Sequence, residues 1–262
     1  MNKLGKIVAF SSQKGGSGKT TSTTFAATYI NYYYDKKVCA VDLDIQKSLS
    51  NKRRDEIKHI QSLAELDGEM LLPQRKEAKV LKKLDEEGKE LYPIYTYSFK
   101  DDNVIEKILD LQTKYDIIFI DFPGTLDFKE ISFILLILDY IFIPFYAEEK
   151  NFKSGFDFEK VLRGIKNHQK ENPNSSRLKD YYAYFFMYSE TTSKVVWDFI
   201  QKVLDSRGVK KLDNHIYENK KLEMDVSTIK LVTGVPRAKS PIPFVEEIMS
   251  ILFPEEYSNN NN

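Results

Sequence analysis

The sequence predicts an α/β protein: a doubly wound, mostly parallel sheet flanked by helices. Three observations predict it. Short apolar runs without polar alternation recur along the chain, as strands buried on both faces require. Segments with apolar residues at helical spacing separate them, the sequence signature of parallel β-α-β units. A glycine-rich loop joins the first run to the first helix, where such folds bind ligands. At 262 residues the chain is long enough to bury a full core.

The first strand is expected at Ile7-Val8-Ala9-Phe10. A helix follows from Lys19, with Phe25, Ala26, Tyr29, Ile30 and Tyr33 on one face. Val38 to Val41 reads as a second buried strand, closed by Asp42-Leu43-Asp44. Residues 51 to 90 are half charged and read as a solvated helical stretch broken near Pro73 and Gly88. Strands are then expected at Tyr92 to Tyr97, Ile117 to Ile120, Ile141 to Ile143, Tyr182 to Met187 and Lys230 to Val235. Helices are expected at Val104 to Leu111, Gly155 to Gln169, Val195 to Leu204 and Pro243 to Leu252. We expect one domain over residues 1–258, with 259–262 as a frayed asparagine tail.

Composition excludes several functions. Lys plus Arg and Asp plus Glu are both 39, so no global charge favours nucleic acid. Cys39 is the only cysteine, too few for an intrachain disulfide or a four-thiolate metal site. The three histidines, His59, His168 and His215, show no metal spacing. Ile131 to Ala147 is the longest apolar stretch, but Asp139 and Pro144 interrupt it, so a helix and a strand fit better than a membrane span. No targeting segment is visible before the first strand, and a cytoplasmic protein is expected.

The chemistry concentrates in Gln13-Lys14-Gly15-Gly16-Ser17-Gly18-Lys19-Thr20-Thr21. Glycines let backbone amides approach a polyphosphate, and the following helix adds its positive N-terminus. Lys19 can reach the β- and γ-phosphates, and the Thr20 hydroxyl can ligate magnesium. The strict phosphate-loop pattern has a glycine where Gln13 stands. Asp42 and Asp44 follow the second strand, and Asp121 ends the third apolar run, where a carboxylate can hold magnesium directly or through water.

These motifs resemble the ParA/MinD superfamily of ATPases, whose deviant phosphate loop carries an extra lysine like Lys14. The resemblance implies ATP and Mg2+ as ligands, with Gly15, Gly16, Ser17, Gly18, Lys19, Thr20 and Thr21 around the phosphates. It implies that Lys14 reaches the nucleotide of a partner subunit in an ATP-dependent homodimer. Val41-Asp42-Leu43-Asp44-Ile45-Gln46 is similar to the family's Asp-x-Asp-Pro-Gln motif, with Ile45 in place of proline. By that likeness Asp44 orients the attacking water and Asp42 supports the magnesium site, together with Thr20 and Asp121. Asp139 to Pro144 resembles the family's Ala-Asp-x-x-x-x-Pro strand. Val235-Pro236-Arg237 resembles the Ile-Pro-Arg that touches the base, which makes Pro236 a candidate base contact. By the same likeness Tyr184 to Glu190 occupies the place of the strand preceding the family's adenine site, where an asparagine is common; none occurs there.

Within the family, the aromatic first helix (Tyr29, Tyr32, Tyr33, Tyr34) and Asn51 to Asp55 look like small ParA-type proteins of conjugative transposons, the TraA-like group. The tyrosines themselves are expected to pack against a neighbouring helix. The implied function is a slow ATPase switch in partition or conjugative transfer of DNA, with a ParB-like or conjugation partner protein. Non-specific DNA contact would fall on residues 150–179, with 8 basic and 3 acidic side chains, or 206–239, with 8 and 4. With 13 residues before Lys14, no N-terminal operator-binding domain is expected. A MinD-like membrane switch is the alternative, but residues 240–262 hold four glutamates and no basic residue, unlike a lipid-binding helix. A redox ATPase would need two cysteines per subunit. A small-molecule synthetase on the same scaffold has no use for Lys14.

Overall fold

The computed structural model describes residues 4–67, 86, 88, 90–124, 128–189 and 194–257. Seven strands form one sheet in the order β3-β2-β4-β1-β5-β6-β7. They are β1 (Lys6–Phe10), β2 (Val38–Asp42), β3 (Ile94–Thr96), β4 (Ile117–Asp121), β5 (Tyr140–Phe145), β6 (Asp180–Tyr188) and β7 (Ile216–Tyr217). Every pair is parallel, so all strands point their C-terminal ends to one edge. The helices between them are α1 (Lys19–Tyr33), α2 (Ser48–Asp67), α3 (Val104–Leu111), α4 (Phe128–Leu135), α5 (Glu149–Glu171), α6 (Lys194–Ser206), α7 (Lys220–Met224), α8 (Pro241–Leu252) and α9 (Pro254–Tyr257).

Because successive strand side chains alternate, each apolar run feeds two cores. Ile7, Ala9, Cys39, Val41, Ile118, Ile120, Ile141 and Ile143 pack under α3, α4, α5 and α6. Val8, Phe10, Val38, Ala40, Ile117, Phe119 and Phe142 pack under α1 and α8. Phe10 lies between Phe119 and Phe142, with ring centroids 5.9 and 5.5 Å away.

Two residues that mark the 131–147 stretch as no membrane span have structural duties. Asp139 is buried, and its carboxylate accepts the Ile7 amide at 2.9 Å, with Lys179 at 3.3 Å and Arg177 at 3.5 Å. Pro144 lies in β5 beyond the last residue paired with β1, at Phe142, so its missing N–H costs no ladder bond to β1. Among the described residues no helix is long and apolar enough to cross a membrane.

One expected strand does not form. Residues 230–235 are irregular, and β7 takes the position beside β6 instead. The chain before and within this segment spends its backbone groups on side chains. Tyr29 Oη accepts the Val232 amide at 3.1 Å, Tyr32 donates to the Ile229 carbonyl at 3.1 Å, and Ser227 Oγ accepts the Ile229 and Lys230 amides. Gly234 at φ 72° then turns the chain out of extended geometry. The tyrosines of α1 thus fasten a loop as much as they pack on a helix; Tyr33 is 57% exposed. Gly88 takes a left-handed φ of 61°, and residues 87 and 89 beside it lie outside the described residues. The expected break at Pro73, the end of the Tyr184 to Glu190 region at Glu190 and the asparagine tail lie outside the described residues.

Candidate functional site

The loop between β1 and α1 sits at the C-terminal edge of the sheet, between the ends of β4 and β5. Gly16 and Gly18 adopt φ 73° and 87°, a left-handed region that glycine enters without a Cβ penalty. Gly18 has a second reason. A Cβ there would stand 2.5 Å from the Phe186 ring, which closes over the start of α1. Gly18 is also the residue before α1, and it offers no side chain to cap the first-turn amides. An anion is the natural partner for such a helix end.

A cleft of about 730 Å³ opens on this loop. Gly15 to Thr21 form its floor, Asp44 and Ser48 one wall, and Phe122, Pro123 and Gly124 another. Within it Lys19 is 4% exposed. Its ammonium donates to the Lys14 carbonyl at 2.6 Å, and the Gly124 carbonyl lies at 3.4 Å. Burial pulls this lysine down to about 8, against the opposing pull of Asp121 and Asp44. A polyanion would relieve that cost.

Thr20 donates its hydroxyl to Asp121, with oxygens at 2.9 and 3.1 Å. Asp121 is fully buried at the end of β4, and burial pushes its carboxyl up to about 7. The Thr20 bond opposes that rise, and the adjacent Asp42 adds to it. A buried carboxylate beside a hydroxyl, both hard oxygen donors, fits a magnesium ion. No group of three or more His, Cys, Asp or Glu forms a metal cluster among the described residues. The oxygen pair at Thr20 and Asp121 has the form expected where phosphates complete the shell.

Asp42 and Asp44 part company here. Asp42 is buried, and its oxygens accept the Asp44 amide at 3.1 Å and the Ser50 amide at 2.8 Å, tying the loop to α2. Asp44 reaches the cleft wall itself. Lys14 contributes its carbonyl to the loop, accepting Ser17 Oγ at 3.0 Å as well as Lys19, while its side chain does not line the cleft. Pro236 lies apart from the cleft as well. It is exposed at the start of a short 3₁₀ turn, Arg237–Lys239, and lines neither this cleft nor the next.

A second cavity of about 360 Å³ adjoins the loop at Gly16 and Thr21. Its walls are Phe25, Tyr146, Phe186, Met187, Ile216 and Leu222, with Asn151 and Glu148 at one side. The resemblance puts the Tyr184 to Glu190 segment, which holds Phe186 and Met187, before the base site without singling out either side chain, and sequence reasoning missed Ser48 in the main cleft. The position of β6 beside β5 places its C-terminal end against the loop.

A family model described as an AAA domain matches residues 5–176. The chain belongs to the AAA domain family. No curated protein sequence matches this AAA domain protein. Solved structures resemble it over nearly its whole length. A putative plasmid partition protein from Borrelia burgdorferi B31, bound to AMPPNP, aligns at TM-score 0.59 and 20% identity over 96% of this chain and 99% of its own. A variant of Cyanothece McdA in complex with ATP aligns at 0.62 and 16%, covering 95% and 98%. The septum site-determining protein MinD of Pyrococcus horikoshii OT3, complexed with Mg-ADP, aligns at 0.60 and 18%, covering 95% and 97%. The AAA domain protein therefore has the ParA/MinD-type P-loop fold that its motifs imply.

Proposed function

We propose that this protein is a magnesium-dependent ATPase of the ParA/MinD type, one domain over residues 1–258, in which ATP joins two copies into a switch. The observation that carries the reading is the convergence on one cleft of the glycine loop, the buried Lys19, the Thr20–Asp121 pair and Asp44. Lys19 and the loop amides bind the β- and γ-phosphates. Thr20 and Asp121 hold Mg2+, which when bound offsets phosphate charge. Asp42 supports that site through its charge and by anchoring the loop that carries Asp44. Asp44 orients the attacking water. The cavity between Phe186 and Leu222, with Glu148, Asn151 and Glu223 on its lining, receives the base. The nucleotide-bound relatives of the same fold support this ligand.

Lys14 acts in trans. Its side chain stays off its own cleft wall, and Lys19 already serves the cis phosphates. Hydrolysis parts the dimer, so nucleotide state gates a partner, either a ParB-like protein or a conjugation protein of the TraA-like setting. Non-specific DNA contact is the weaker element. Of the eight basic residues in 150–179, Lys153, Arg163, Arg177 and Lys179 are in ion pairs and Lys166 donates to backbone carbonyls. The test is light scattering with Mg-ATP. Asp44→Ala should be a dimer, and Asp44→Ala with Lys14→Ala a monomer that still binds ATP. The same oligomeric state in both would remove the trans role of Lys14.

A further inference from the structure

The loop that carries Asp44 holds its carboxylate from both sides. One oxygen accepts the Gln46 amide at 2.9 Å, and the other accepts the Ser48 hydroxyl at 3.0 Å. Ser48 is the first residue of α2 and lines the same cleft as Lys19 and Thr20. The loop backbone is also held by the Lys47 amide, which donates to the Asp44 carbonyl at 2.9 Å, and by Asn51 Nδ2, which donates to the Gln46 carbonyl at 2.8 Å. Ile45 is 74% exposed, so no apolar packing seats the turn, and Lys47 takes a left-handed φ of 52° to bring Ser48 back under Asp44. Asp42 anchors the loop from behind through the Asp44 and Ser50 amides. The backbone is therefore held by Asp42, Asn51 and the Lys47 amide, whereas the Asp44 side chain is held by the Gln46 amide and the Ser48 hydroxyl.

We propose that Ser48 is a positioning residue for hydrolysis: its hydroxyl fixes the Asp44 carboxylate in one rotamer on the cleft wall. The inference rests on Asp44 being the water-orienting group. A carboxylate oxygen has two acceptor sites, so the Ser48 bond leaves capacity for a water molecule. An aspartate free to rotate spends part of its time turned away from the attacking water, and misplacement of this kind lowers the rate without changing ground-state binding. Serine at a helix start has an alternative duty, simply favouring the first turn of α2. That duty would affect folding and nucleotide binding together, not turnover alone.

The experiment compares Mg-ATP hydrolysis and ATP affinity in the wild-type chain and in Ser48→Ala, Ser48→Cys, Ser48→Thr, Asp44→Ala and the Asp44→Ala, Ser48→Ala double variant. Loss of one hydrogen bond to a charged group predicts a fall in kcat of about tenfold in Ser48→Ala, with KM and calorimetric affinity changed less than about twofold. Ser48→Cys keeps the size with a weaker donor and should fall between, which covers the case in which Ser48→Ala folds poorly. Ser48→Thr should return kcat to within about threefold of wild type. In the Asp44→Ala background the Ser48 change should do nothing more, because residues acting as a unit are not additive. Wild-type turnover in Ser48→Ala, an equal loss of affinity and kcat, no recovery in Ser48→Thr, or an additive double variant would each overturn the role of Ser48. If Asp44→Ala itself turned over at the wild-type rate, the reading of Asp44 would fall, whatever the Ser48 variants do, and the inference with it.

Discussion

Replacing Asp121 with asparagine separates the cost of burying a charge from the benefit of binding a metal. Burial is the largest influence on this carboxyl and pushes it from an ordinary 3.8 to about 7, with Thr20 opposing and Asp42 reinforcing. In metal-free protein the folded state thus keeps a proton, between about pH 4 and 7, that the unfolded chain has released. Stability must fall as pH rises through that window and stay low above it. A gap of about three pH units corresponds to about 4 kcal/mol at 1.36 kcal/mol each, and relaxation around the charge reduces this to about 2–4 kcal/mol. The amide of Asp121→Asn would carry no charge and still accept from Thr20. Urea unfolding of chelator-treated protein between pH 5 and 8 is the assay. Over that range, which covers about two of the three pH units, wild type should lose about 1–3 kcal/mol more than Asp121→Asn. Millimolar Mg2+ with ADP should restore wild type at pH 8 and leave the variant unchanged. Parallel pH curves for the two proteins would refute the burial argument.

Other outcomes follow from the same geometry. Gly18→Ala should cost about 1–3 kcal/mol and weaken nucleotide binding, since it adds a left-handed penalty to a clash with the Phe186 ring; chemical denaturation should show part of the loss recovered by adding Phe186→Leu. Nucleotide binding above pH 8 should take up a proton as the phosphates recharge Lys19; calorimetry in buffers of different ionisation heat measures it, and no buffer dependence would contradict the depressed lysine. Asp139→Ala strands the buried Ile7 amide and the facing Arg177 and Lys179, and should cost about 2–4 kcal/mol in urea unfolding. Cys39 is buried in β2 with its thiol pushed up by burial, so a thiol reagent should label it only in denaturant.

The phosphate loop and the ends of β1, β2 and β4 were legible because parallel strands buried on both faces leave unmixed apolar runs, which stop at Ser11, Asp42 and Asp121. β6 was legible for the same reason. The 230–235 segment misled because its Leu231-Val232 and Val235 read as strand, while the groups that decide its conformation, Tyr29 and Tyr32, lie on α1 some two hundred residues earlier. The two-residue β7 is too short to show any period. Within the site, Lys19, Thr20, Asp44 and Asp121 announce themselves by residue type at fixed spacing. Phe186, Met187 and Ser48 do not, because their roles arise from which strand end or helix start the topology brings beside the loop.

The strand order also governs how the chain must be made. β1 and β2 do not touch; each pairs with β4 on opposite sides. Lys6 has its β4 partner at Ile117, more than a hundred residues later. At a synthesis rate of about 5–20 residues per second, the N-terminal strand waits on the order of 6–20 s before that partner leaves the ribosome. Through that interval two strongly apolar segments have no sheet to join, and the glycine loop has no Asp121 to face. The nascent first third is therefore the stretch of this protein most in need of chaperone cover, and its phosphate loop becomes competent in one step, when β4 slots between β1 and β2.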